Sequence, residues 1–269
     1  MVDGGASFRE AGVGVPVACI HASASSSGQW RPLMERLAGG FRSLAVDLYG
    51  YGQSPRWPDE RPLSLADEAA LLEPVFERLG DRFHVIGHSY GGAVALKAAL
   101  LRPGRLRSLI LFEPVLFAVL MAEDPGQPAA REIAAVRDDT VAAVDRGDFD
   151  TAGVRFVDYW MGAGAWAGMT APRRQAVAGA MSKVKAEWLA VFTEPSPLSA
   201  FAALAVPTLL VVGSNSPASS RGVVRLLAKT LPSVTTVEID GVGHMAPVTH
   251  PDRVNTVIAS YLERVTATG

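Results

Sequence analysis

The segment 83–101 narrows the possible folds of this chain more than any other. The apolar run Phe83-His84-Val85-Ile86 passes into Gly87-His88-Ser89-Tyr90-Gly91, and Gly92-Ala93-Val94-Ala95-Leu96 follows at once with helical composition. A buried strand that becomes a helix within so few residues has to bend sharply, and the flanking glycines let strand and helix approach closely. A turn of this kind lifts its central residue above the carboxyl end of the strand, where open α/β sheets place their ligand crevices. The N-terminus of the following helix adds positive potential there. Ser89 is therefore a candidate nucleophile, with an ordinary tight strand–helix turn as the alternative.

Short apolar runs recur on both sides and alternate with amphipathic stretches. Residues 15–20, 41–48, 82–88, 106–112, 208–212 and 234–239 read as strands, and residues 28–37, 64–79, 90–101, 218–231 and 251–265 as helices. Ser64 caps its helix with Asp67 in the first turn, and Pro103-Gly104 stops the helix that follows Ser89. Strands that are continuously apolar and alternate with helices predict a mostly parallel, twisted sheet with helices on both faces, an α/β fold. The pattern breaks over residues 117–197, which contain no convincing strand but hold Trp160, Trp166 and Trp188. That stretch is too long for a loop. It predicts a helical cap inserted into a core made of residues 1–116 and 198–269.

Composition excludes several classes. The formal net charge is −2 and the basic residues are scattered, so neither a nucleic-acid stripe nor a membrane-binding basic block is present. The single cysteine, Cys19, lies in a strand-like run and reads as a buried residue, which precludes an internal disulfide. Residues 1–7 lack the features of a signal peptide and no apolar stretch is long enough to span a bilayer, so a cytoplasmic location is expected. No His/Cys/carboxylate cluster has metal-ligand spacing, and neither metal nor cofactor is expected.

A serine hydroxyl is a poor nucleophile until a base takes its proton. His244, in Gly241-Val242-Gly243-His244-Met245, follows the last predicted strand and so falls on the same sheet edge as Ser89. The other histidines read as structural: His21 anchoring its loop, His84 within a strand, His88 packing inside the turn and His250 starting the last helix.

His21-Ala22-Ser23 with Trp30, Asp47-Leu48-Tyr49-Gly50-Tyr51-Gly52-Gln53-Ser54, the Gly87–Gly91 turn and the Gly-x-Gly-His segment together resemble the α/β-hydrolase family, in this order and over nearly all the chain outside residues 117–197. The resemblance implies an α/β-hydrolase fold, with a first strand short or missing before Val15. It also implies an oxyanion hole made by the backbone N–H groups of Ser23 and Tyr90, although Ala22 stands where the family usually has glycine.

The chain departs from the family at the acid. The family's usual aspartate position is Ser216, in Gly213-Ser214-Asn215-Ser216, and Ser216 cannot carry charge. Glu113 is the expected replacement. It ends the strand 106–112, as in some family members, and keeps the order nucleophile, acid, base. A carboxylate placed between Leu109-Ile110-Leu111-Phe112 and Pro114-Val115-Leu116-Phe117 also needs a partner such as an imidazolium. A rim glutamate facing water is the alternative. Asp47, Asp240 and Asp252 read as structural.

The implied activity is hydrolysis of a small carboxylic ester or lactone through an acyl-enzyme. Carbon–carbon or thioester hydrolysis and cofactor-free perhydrolysis remain open on the same residues, as does a weakly active ligand-binding member of the fold. An aspartate nucleophile would have suggested a dehalogenase or epoxide hydrolase; Ser89 argues against both. The expected partner is a small molecule with an apolar portion. One or two of Phe156, Tyr159, Trp160, Trp166, Trp188 and Phe192 should touch it.

Overall fold

Alternation within the strands decides which layer each side chain joins. Val17, Cys19, Ala45, Ile86, Ile110, Phe112, Leu209 and Val211 point to one face of the sheet, while Ala18, Ile20, Leu44, Val46, Val85, Leu109, Leu111, Leu210 and Val212 point to the other. Both faces are apolar, so helices must cover both. In the computed structural model, which describes residues 5–58 and 60–267, they do. Residues 1–4 of the N-terminal segment read above lie outside the described residues.

The strands are β1 (Phe8–Ala11), β2 (Val15–Ile20), β3 (Phe41–Val46), β4 (Phe83–His88), β5 (Leu106–Phe112), β6 (Thr208–Gly213) and β7 (Val234–Ile239). They form one seven-stranded sheet in the order β1-β3-β2-β4-β5-β6-β7. All neighbours are parallel except β1, which pairs antiparallel with β3. The strand expected to be short or missing before Val15 is thus present, with four residues.

Helix α1 (Arg31–Leu37) is entered through a 3₁₀ turn at Ser27–Trp30, so residues 28–37 are not one regular helix. The single helix expected over residues 64–79 is two, α2 (Leu65–Leu71) and α3 (Glu73–Leu79). Pro74 lacks the N–H that would continue the ladder, and it begins the second helix instead. Ser64 and Asp67 close a reciprocal capping box on α2. Helix α4 (Tyr90–Leu101) follows Ser89 directly.

Between β5 and β6 the chain is helical: α5 (Phe117–Glu123), α6 (Pro128–Asp145), α7 (Phe149–Met161), α8 (Ala165–Gly168) and α9 (Ala171–Phe192), then a 3₁₀ turn at Leu198–Ala203. Their buried side chains, Trp160, Trp166, Met181 and Trp188 among them, join the core cluster on the α4 face. Helices α10 (Ala218–Thr230), α11 (Ala246–Thr249) and α12 (Pro251–Ala267) complete the fold. Leu33 and Met34 of α1 pack with Ile258 and Leu262 of α12 on the opposite face. Cys19 is free and fully buried, as its strand position predicts.

Candidate active site

Ser89 is placed by the collision of two elements. β4 ends at His88 and α4 starts at Tyr90, leaving one residue to reverse the chain, and Ser89 does so at φ 55°, ψ −119°. Gly91 permits it: a Cβ there would lie 2.4 Å from the carbonyl oxygens of both Ile20 and His21. His88 and Phe112 are paired across β4 and β5, and the Ser89 N–H donates to the Phe112 carbonyl at 3.0 Å. Glu113, one residue beyond Phe112, also has positive φ, at 45°. Ser89, Glu113 and Ala24 are the non-glycine residues with positive φ among the described residues. Strain of this kind, on the order of 1–3 kcal/mol per residue, persists where the surroundings hold it in place, often at functional sites.

His244 comes on the loop between β7 and α11. That loop is fastened to the end of β6, where Asn215 N–H donates to the Val242 carbonyl at 3.0 Å. Gly213 has no room for a side chain, since a Cβ would lie 2.3 Å from the Val242 oxygen. The three sequence-predicted residues meet here. His244 Nε2 is 2.9 Å from Ser89 Oγ, and His244 Nδ1 is 2.7 Å from Glu113 Oε2. His244 and Glu113 are buried and Ser89 is 6% exposed.

The protonation pattern follows from the partners. Burial alone would raise the Glu113 carboxyl, but the hydrogen bond and charge of His244, with donors from Gly213 N–H and Ser216 Oγ–H, outweigh it and hold the group below its ordinary value. An ionised carboxylate only accepts, so His244 Nδ1 carries the proton, and Nε2 has a lone pair for the Ser89 hydroxyl. Ser216 was expected only as a position that lacks the family's aspartate. It binds the Glu113 oxygen that His244 does not use.

His88 does more than pack. Its Nε2 donates to the His244 carbonyl at 2.9 Å and its Nδ1 accepts from Gln29 Nε2 at 3.1 Å. Burial, reinforced by the neighbouring His244, pushes its pKa well down, so it is a neutral strut. His21 anchors its loop as expected, donating from Nδ1 to Ala22 O and accepting at Nε2 from Leu48 N–H. His84 bonds Ser108 Oγ, and His250 ends α11 just before Pro251. Asp47 is structural, accepting from Ser27 N and Ser7 Oγ; Asp240 accepts from Ser214 Oγ; Asp252 lies in the first turn of α12.

Two small cavities flank Ser89. One, of about 20 Å³, is lined by Ser23, Ser89, Tyr90, Phe117, Trp160 and Trp188 among others. The second, of about 40 Å³, is lined by Ser23, Ser89, Phe156, Trp160, His244 and Met245 among others. Ser23 and Tyr90 thus border the nucleophile. Of the six aromatics considered from sequence, Phe156, Trp160 and Trp188 line these cavities. Trp160 lies face-on to His244, ring centroids 4.1 Å apart. Trp166 instead packs on Gly153, while Tyr159 and Phe192 border separate surface grooves. Sequence reasoning missed Phe117 and Glu187, which also line the first cavity. Glu187 carries a signal only in hindsight, a charge on a helix between Val184 and Trp188.

Among the described residues no group of three or more His, Cys, Asp or Glu could hold a metal ion, and no helix is long and apolar enough to cross a membrane.

Residues 17–257 match the model of the family described as "Alpha/beta hydrolase family". The chain is 39% identical over 108 residues to a haloalkane dehalogenase of Agrobacterium fabrum, covering 40% of this chain and 35% of that protein. It is 36% identical over 100 residues to a pimeloyl-[acyl-carrier protein] methyl ester esterase of Nitrosomonas europaea, covering 37% of each. Matches of this kind span about a third of the curated relatives' length, 26–37% for the five compared. Among solved structures, a thermophilic esterase from Thermogutta terrifontis superposes with a TM-score of 0.77 at 26% identity, over 97% of this chain and 93% of that one.

Proposed function

The chain belongs to the alpha/beta hydrolase family, and we propose that it hydrolyses a small carboxylic ester or lactone through an acyl-enzyme on Ser89. The observation that carries this reading is the unbroken chain of contacts from Ser89 Oγ through both nitrogens of His244 to Glu113. His244 Nε2 takes the hydroxyl proton as Oγ bonds to the carbonyl carbon. Glu113 holds the imidazole in the required tautomer and stabilises the imidazolium, as does the face of Trp160. The N–H groups of Ser23 and Tyr90 receive the developing oxyanion, and loss of one such donor costs about 3–4 kcal/mol. Collapse of the intermediate breaks the ester C–O bond, and His244 returns the proton to the leaving alkoxide. Water, deprotonated by His244, then releases the acid and restores Ser89.

The leaving oxygen has to lie near His244 Nε2. The cavity bordered by His244 is therefore assigned to the alcohol side, and the one bordered by Tyr90 but not His244 to the acyl side. Residues 117–197 act as a cap on a core of residues 1–116 and 198–269, and apolar walls from α5, α7 and α9 favour a substrate with an apolar portion. The 2.7 Å contact between Glu113 and His244 counts against the weakly active ligand-binding reading. Serine at position 89 counts against the dehalogenase chemistry named for one relative.

Labelling with a fluorophosphonate probe tests the proposal. Wild type should label, and Ser89→Ala and His244→Ala should not. Labelling of Ser89→Ala at the wild-type level would refute it.

A further inference from the structure

The acyl-side cavity ends on charge. Glu68 of α2 meets Lys183 and Glu187 of α9 in a cluster buried behind Tyr51 and Tyr90, with Lys183 Nζ 2.6 Å from Glu68 Oε1 and 3.1 Å from Glu187 Oε1. The two carboxylates are treated differently. Glu68 has donors on both oxygens: Oε1 accepts from Lys183 and from the Tyr90 hydroxyl, and Oε2 from Tyr49 N–H. Glu187 is 2% exposed, yet neither of its oxygens receives a well-directed hydrogen bond, although Lys183 is close and the Tyr51 hydroxyl faces it. It is Glu187, not Glu68, that borders the cavity shared by Ser23, Ser89 and Tyr90.

A buried carboxylate whose neighbours, Lys183 and Tyr51, do not fill its acceptor sites is costly, because each oxygen can accept two hydrogen bonds. Apart from Ser23, Ser89 and Tyr90 at the nucleophile, the rest of the wall is built from valines and from Phe117, Phe156, Trp160 and Trp188. Trp188 has a ring N–H, but that too is buried without a partner, so it does not reach the carboxylate. The cluster also holds two carboxylates to one ammonium. The Glu187 oxygens therefore retain acceptor capacity for a hydrogen-bond donor, neutral or cationic, arriving in the cavity itself. With about 20 Å³ available, little more than one water's room, that donor has to sit on a short chain.

We propose that Glu187 is a specificity determinant, reading a hydroxyl or ammonium group at the end of a short acyl chain whose carbonyl is attacked by Ser89. This rests on the serine-hydrolase reading above. It adds that the acyl side, apolar on most of its wall, selects for a polar tip and against the isosteric methyl. Pairing Lys183 alone would not require it, because Glu68 already does so at 2.6 Å.

The test uses the p-nitrophenyl esters of butanoate, 3-hydroxypropanoate and 3-aminopropanoate, which differ only in a terminal methyl, hydroxyl or ammonium. Wild type should favour both donor-bearing esters over butanoate by about tenfold or more in kcat/KM, the value of one charge-assisted hydrogen bond, with most of the difference in KM. Glu187→Leu should abolish or reverse that preference. Glu187→Gln should keep the hydroxyl preference and lose the ammonium one. A wild-type preference for butanoate, or a donor preference that survives Glu187→Leu, overturns the inference, and the wild-type series decides even if the leucine variant misfolds. Fluorophosphonate labelling separates the two levels. Ser89-dependent labelling with no donor preference removes the role of Glu187 alone, whereas no turnover and Ser89-independent labelling removes the hydrolase reading with it.

Discussion

Glu113→Gln is the most informative single change, because the structure fixes how the new amide must lie. Oε1 of Glu113 accepts from Gly213 N–H and Ser216 Oγ–H, while Oε2 faces His244 Nδ1. An NH₂ group at the Oε1 position would face two donors, one of them an immovable backbone N–H. The glutamine therefore keeps its oxygen there and turns NH₂ toward His244. Nδ1 must then accept, the proton moves to Nε2, and Nε2 can no longer take the proton of Ser89. The substitution leaves volume and packing unchanged and sets the wrong tautomer, a defect worth roughly 10⁴ in kcat where the equivalent change is known. At 298 K that corresponds to about 5–6 kcal/mol of transition-state stabilisation. The expected result is kcat for p-nitrophenyl butanoate lowered by about 10³–10⁴ with KM nearly unchanged, since Glu113 touches no substrate atom. Fluorophosphonate labelling should slow by a similar factor, while the urea midpoint confirms a folded protein. A variant with wild-type kcat would show that another group orients His244, and the assignment of the acid would be abandoned.

Three further outcomes follow from the geometry. Ser89→Gly should be more stable than Ser89→Ala by about 1 kcal/mol in urea unfolding, because glycine adopts φ 55° without the strain alanine retains; equal stabilities would mean that Ser89 stores none. Trp160→Ala removes a ring that borders both cavities and faces His244, so the octanoate-to-acetate ratio of kcat/KM for p-nitrophenyl esters should rise by about tenfold or more, with a fold cost near 3–5 kcal/mol; an unchanged ratio excludes Trp160 as the limit on chain length. His84 is driven by burial, and then by Arg107, from 6.5 to about 4. The unfolded chain therefore binds its proton first as pH falls, and stability present above pH 6.5 is lost toward pH 4, amounting to about 3 kcal/mol over that window. His84→Gln should flatten this part of the stability curve, and an equally steep curve in the variant would assign the loss to other groups.

The sheet was legible because five of its strands carry short apolar runs, and β7, largely exposed, kept its β-branched residues. β1 was hard to see for the opposite reason. Phe8-Arg9-Glu10-Ala11 is an edge strand with polar side chains and no apolar run, and its existence depends on pairing with β3. Pro74 gave a visible reason to split residues 64–79, but helical periodicity continues across the break because Leu71, Leu72, Val75 and Phe76 all remain buried. At the site, Ser89, His244 and Glu113 could be placed because strand ends put them on one edge. The Ser216 hydroxyl, the His88 strut and the cluster around Lys183 could not, since each depends on contacts between segments 59 to 156 residues apart in which no local pattern participates, apart from the i,i+4 spacing of Lys183 and Glu187.

The hydrogen bond from Ser89 N–H to the Phe112 carbonyl has a mechanical consequence. Ser89 and Glu113 each follow one member of a paired couple at the ends of adjacent strands, so the sheet's own register fixes the distance between them. His244 enters separately and is hydrogen-bonded from the core by His88, while Trp160 of α7 meets it only through its ring face. The helices over residues 117–192 begin only four positions after Glu113, yet none of the hydrogen bonds that join these three residues comes from them. Under the proposed function, the alignment of the three residues would rest on the sheet and its loops, and the shape of the cavities beside them largely on the helices.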